Sequence, residues 1–197
     1  MEKVTLNKDM KLSEHLASPS EAALSHSSKL DGLRLSPHFT LGELTKTQYV
    51  TKDGNIPSRV AIDNLKNLCE NWLEDLRYSY NTLYPRGCPQ DKTVAEPAEA
   101  LGPSEGIIIN SGYRSPEVNK RAGGSATSNH LAGCAVDIRV AGFEQAIRYA
   151  SILLDISDGT KRDFDELYIE RNKAGSHWIH FAVKPKDNRR KSGFILK

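Results

Sequence analysis

Three of the six histidines, His130, His177 and His180, fall in the last third of a 197-residue chain, beside segments that also carry Asp137 and Glu170. Imidazole and carboxylate groups hold zinc well. Two imidazoles and one carboxylate leave the fourth tetrahedral position open, as catalytic zinc requires, whereas a closed structural site takes a fourth ligand. Such an ion polarises a carbonyl and lowers the pKa of bound water to about 7, so the protein need add only a base and an oxyanion donor. Taken singly, these residues are equally compatible with exposed or core histidines and with an Asp137 that merely pairs with Arg139 or another cation.

The elements that must carry them are legible from periodicity. Alternate residues of a strand share one face. In the strand expected over Ala135–Val140, Val136, Ile138 and Val140 take the core side, and Asp137 and Arg139 take the other. The same parity in the strand expected over Trp178–Val183 puts Ile179, Phe181 and Val183 inward, with Trp178 and His180 opposite. In the strand expected over Glu166–Glu170, Leu167 and Ile169 turn inward, and Tyr168 and Glu170 outward. If these strands neighbour one another in an antiparallel sheet, Asp137, His180 and Glu170 share a surface.

Further strand and helix signals surround this core. A strand is expected over Gly106–Ser111, and helices over Arg114–Ala122 and Phe143–Leu154. The most pronounced helix is expected over Ser58–Tyr80, where Val60, Leu65, Leu68, Cys69, Trp72, Leu73 and Leu76 recur at spacings of three and four. A short helix follows Thr40, a candidate N-cap with Glu43 three residues on. Residues 1–35, rich in Ser, Lys, Glu and Ala, read as a flexible N-terminal extension, and residues 36–197 as one domain. The Pro- and Gly-bearing stretch 85–105 reads as a loop insertion.

The run SGYRSPEVNKRAGGSATSNHLAGCAVDI, Ser111–Ile138, resembles the signature of zinc D-Ala-D-Ala carboxypeptidases and related phage endolysin peptidases, which share a fold with hedgehog signalling domains. Downstream, FDELYIE and WIHFAV are similar to the family's last two strands. Upstream, FTLGELTKT and NIPSRVAIDNLKNLCENWLEDLR are similar to the N-terminal helices of its phage-type branch. The resemblance spans roughly residues 36–185.

It implies an α+β domain of hedgehog/DD-peptidase type, a small antiparallel sheet with helices packed on one face. It implies Zn²⁺ as cofactor, held by His130, Asp137 and His180, and a peptidoglycan stem peptide or cross-link as substrate. Arg114 matches an arginine that faces substrate near the metal; a guanidinium suits that role because it offers forked donors and stays charged. Ser128 matches a serine near the substrate and is also placed to hydrogen-bond the turn that aims His130. Tyr113 and Trp178, beside Arg114 and His180, complete the candidate substrate contacts. Glu170 matches the family glutamate assigned as general base. The RNKAGSH loop is longer than is usual there, however, and His177 stands where some relatives carry an acid, so His177 is an auxiliary donor or alternative base.

Composition narrows the choices. A net charge of +2 and 38% hydrophobic residues describe an ordinary globular protein with no electrostatic case for nucleic acid. No run of 18 apolar residues marks a membrane span, and no signal peptide is evident, so synthesis in the cytoplasm with a separate route to the wall is expected. The basic run Lys184–Lys191 reads as a solvated terminus. Cys69, Cys88 and Cys134 read as reduced thiols outside any disulfide framework. Two alternatives stay open. One is a zinc-containing module that binds cell wall or a protein partner without cutting; the other is a serine or cysteine hydrolase using Ser128 or Cys134, although neither sits in a nucleophile elbow.

Overall fold

The structure, a computed structural model, describes residues 31–85 and 105–197. Most of the expected extension, Cys88 and all but the ends of the 85–105 loop lie outside the described residues. The chain is already part of the fold just before residue 36. Leu35 is buried, its N–H bonds Phe39 O, and Leu33 O accepts from Leu41. Helix α1 (Leu41–Thr45) opens with a full capping box, the Thr40 hydroxyl accepting from Glu43 N while the Glu43 carboxylate takes the Thr40 N–H.

The long amphipathic helix is three segments in one rod: α2 (Arg59–Leu68), a π turn (Cys69–Leu73) and α3 (Glu74–Leu83). Ser58 caps its start. The buried stripe runs Ala61, Leu65, Leu68, Cys69, Trp72, Leu73, Leu76 and Tyr80. Val60, expected in that stripe, is exposed, one step out of phase. Trp72 meets Phe181 of the sheet at 5.0 Å between ring centroids. Helix α5 (Phe143–Thr160) runs longer than the apolar pattern implied and packs beside α3, with Tyr149 edge-on to Tyr80 at 4.8 Å.

Five strands form the sheet: β1 (Ile109–Ser111), β2 (Ala135–Arg139), β3 (Glu166–Arg171), β4 (His177–Ala182) and β5 (Lys191–Leu196), in the order β1-β2-β4-β3-β5. The sheet is mixed rather than wholly antiparallel, because β5 lies parallel to β3. Alternation does not reveal β5, since Phe194, Ile195 and Leu196 are consecutive, its neighbours are basic, and most of it stays exposed. Its anchor is the basic run that was expected to be solvated. Arg189 and Lys184 reach the fully buried Asp165 at 2.5 and 3.0 Å, and Arg190 bonds Ser157 and Asp158. Burial alone would raise Asp165; the bonds from Arg189, Lys184 and Asn129 outweigh it and hold the carboxyl far below the usual range.

The long helices cover one face of the sheet, where Val136, Ile138, Leu167, Ile179 and Phe181 are buried. The opposite face carries a ladder of directly paired residues: Ser111, Asp137, His180, Tyr168 and Gly193, one from each strand. The convergence inferred from parity is thus realised by strand order. Between β1 and β2, α4 (Pro116–Arg121) and a 3₁₀ turn (Asn129–Ala132) rise at the margin of this face. Gly133 closes that turn with φ 68°, and a Cβ there would meet Ala61 O of α2 at 2.4 Å. Gly133→Ala adds left-handed strain and a backbone clash, so it is expected to lower unfolding free energy by at least about 2 kcal/mol, read by urea denaturation.

Candidate metal centre

Each side chain of the centre is aimed by a different device. His130 sits in the 3₁₀ turn whose N-cap, Ser128, accepts from the His130 N–H at 3.4 Å. Its Nδ1 lies 2.6 Å from Gly112 O. A carbonyl only accepts, so Nδ1 donates to it and Nε2 faces the site. The Gly112 carbonyl is itself fixed, because the following loop is tied down on three sides. Tyr113 N bonds Leu44 O, Arg114 N bonds His130 O, and the buried Asn55 side chain holds Tyr113 O and Ser115 N.

Asp137 is presented by β2 opposite His180 of β4. Its Oδ1 stands 2.9 Å from His180 Nδ1 and 3.3 Å from His130 Nε2, while Oδ2 bonds Arg114 Nη2. Arg114 Nε is held by Ser111 Oγ at 2.7 Å. Asp137 therefore pairs with Arg114; Arg139 bonds Asn110 instead. Burial opposes charge on Asp137, but His130, His180 and Arg114 together hold its carboxyl well below the ordinary range.

The other His180 nitrogen, Nε2, lies 3.4 Å from Glu166 Oε2. Glu166 is braced by Arg189 at 2.5 Å and Asn129 at 3.1 Å. Burial would lower His180; its bonds to Asp137 and Glu166 outweigh that and push it up to about 9. Glu166 went unremarked in the sequence, although it shares the parity of Tyr168 and Glu170. Arg189 was hidden inside the basic run.

The side-chain atoms His130, Asp137 and His180 offer all lie within 4.8 Å of one another. The 2.9 and 3.3 Å separations are close to the roughly 3.3 Å edge of a tetrahedron with metal–ligand bonds near 2.0–2.1 Å. Each imidazole also hands its other nitrogen to an oxygen acceptor, the outer arrangement that fixes a metal-ligating histidine. The three residues thus fit a divalent ion.

The remaining candidates are distributed around this group. Glu170, Ser128 and Arg114 line the same cleft, of about 430 Å³, as the three ligands. Glu170 is buried, with Lys197 Nζ 2.5 Å from its Oε2. Trp178 lies one step along β4 from the ligand row, paired with Arg139 and Glu170. His177 begins β4, so parity sends it to the helix-covered face, where its ring meets Phe143 at 5.3 Å, away from the cleft. Tyr113 is in the hydrophobic core rather than at the cleft. Cys134 is buried and its thiol pushed up to about 11 by burial, a poor nucleophile.

The α+β domain thus sets two histidines and an aspartate together on the open face of its sheet, a group that could hold a metal ion. Comparison with known families points to a narrower class: residues 92–166 match the family model described as Peptidase M15, which supports a peptidase of that kind. The matched stretch takes in His130 and Asp137 and ends before Glu170 and His180. No curated protein matches the chain.

Two outcomes follow for metal binding. In the metal-free protein His180 is protonated below about pH 9, and a ligand nitrogen must be bare. Ion binding at pH 7 should therefore release about one proton, seen as a buffer-dependent calorimetric heat, and should tighten as pH rises toward 9. A heat independent of buffer would contradict this. Glu166→Ala should weaken metal affinity by roughly 10- to 100-fold with the fold intact, measured by competition with a chromophoric chelator.

Proposed function

We propose that this protein is a zinc peptidase of the M15 kind that hydrolyses peptide bonds of bacterial peptidoglycan, with Glu170 as general base. The observation that carries the reading is the buried carboxylate of Glu170 in the cleft shared with His130, Asp137 and His180. Two imidazoles and one carboxylate are the donor set of a zinc site with an open position. When bound there, zinc supplies Lewis-acid polarisation of the scissile carbonyl and a lowered pKa for water.

The chain's own groups do the rest. Glu170 accepts the proton of the attacking water and returns it to the leaving amine. Arg114, whose guanidinium is held by Ser111 and Asp137 at the rim of the cleft, donates to the oxyanion as it develops. The wall peptide as substrate and a phage or prophage setting, with the protein reaching the wall by release or on a virion, rest on the SGYRSP to AVDI run and its flanking helices.

Glu170→Gln keeps the shape of the side chain and removes the base. It should lower kcat on purified peptidoglycan by about 10²- to 10⁴-fold while zinc content, read by atomic absorption, stays at one per chain. Equal activity in the variant would remove Glu170 from the mechanism. A zinc-replete wild type inert on several wall types would favour the non-cutting binder.

A further inference from the structure

The metal group does not sit at the closed end of a pocket. Arg114 and Asp137 are shared walls between two clefts. The first, of about 430 Å³, extends over β3 and β5 past Glu166, Tyr168 and Glu170 to Lys197. The second, of about 600 Å³, extends the other way over β1 and β2, past Arg139 and Trp178 to Lys46 and Tyr49. Each is as large as a pocket that houses a small-molecule ligand. The register explains the layout: Glu170, Trp178 and Arg139 form one row across three strands, directly beside the row of Tyr168, His180 and Asp137. The clefts therefore follow that row toward opposite borders of the sheet and meet at Asp137 and Arg114.

The two sides differ in charge. The cleft over β1 and β2 bears Lys46, Arg114 and Arg139 against one acid, Asp137, which Arg114 already engages. Lys46 is exposed, and Arg139 is exposed with its Nε on the neutral Asn110. Tyr49 and Trp178 add two half-buried aromatic faces. On the far side, three acids, Asp137, Glu166 and Glu170, stand among small polar residues with Arg114 and Lys197.

From this geometry, and resting on the peptidase reading above, we infer that the protein is an endopeptidase: it cuts within a peptide laid across the strands, and the part over β1 and β2 is anionic. A peptidase that removes one terminal residue needs space for that residue alone on one side of the scissile bond. Here clefts of about 600 and 430 Å³ open on either side of Asp137, room for more than one residue each, and the three spread cations of the larger one suit side-chain carboxylates.

The test is mass spectrometry of products from the zinc-loaded full-length protein acting on cross-linked peptidoglycan and on a free stem pentapeptide. The expected result is a cut that leaves at least two residues on each side. Release of a single terminal amino acid as the sole product overturns the inference and leaves the peptidase reading standing; no cleavage of either substrate by zinc-loaded protein overturns both. As a second measure, Lys46→Glu and Arg139→Glu should each raise KM for an acidic peptide by about fivefold, as expected for exposed charges, with kcat little changed and no effect on the amidated peptide. Equal KM values for acidic and amidated peptides in wild type and variants would overturn the anionic assignment.

Discussion

One buried carboxylate organises this molecule. Asp137 receives His180, His130 and Arg114 at once, at 2.9 Å, at 3.3 Å and in direct contact, and so joins β4, the 3₁₀ turn and the Arg114 loop to β2. A buried carboxylate without partners would shed its charge or destabilise the fold. The elements that converge on Asp137 must therefore be held from behind, and each is: the His130 turn by Gly112 O, the loop by Asn55 and Leu44 O, and β4 by its pairing on both sides. The N-terminal helices reach the centre indirectly, through Leu44 O of α1 and the Asn64 side chain of α2, which donates to Ala132 O in the His130 turn.

A second tier repeats the pattern one strand away. Asp165, fully buried, gathers Lys184, Arg189 and Asn129. Arg189 and Asn129 then reach Glu166, which faces His180. The clamp that fastens β5 to β3 is thus continuous with the support of a candidate metal ligand. Buried ion pairs of this kind add little net stability over apolar packing, so their contribution here is orientation.

How much of this was legible in the sequence depends on periodicity. The faces of β2, β3 and β4 followed from alternation, and with them the common surface of Asp137, His180 and Glu170. His130 has no such signal, since a four-residue turn has no period; only its place in the SNHLAG run identified it. His177 was ambiguous because its side depends on whether the strand has already begun, and β4 begins at that residue. Tyr113 was placed beside Arg114 by adjacency, yet neighbours along an extended loop point apart, and its ring went to the core. β5 and the Lys184–Arg190 clamp were illegible for a different reason: a basic run on the way to a solvent and one on the way to a buried aspartate have the same composition. What distinguishes them is Asp165, some twenty residues away in sequence.

The two borders of the sheet differ in a way that bears on self-association. On one side β1 has only three residues and an irregular register, too short to template another strand. On the other, β5 is a full six-residue border with Phe194 and Leu196 exposed, the kind of border that invites edge-to-edge stacking. Arg189, Arg190, Lys191 and Lys197 bracket it, so a second copy docking strand to strand would set like charges against each other. The residues that seat β5 against its own sheet thereby also discourage it from recruiting a neighbour's.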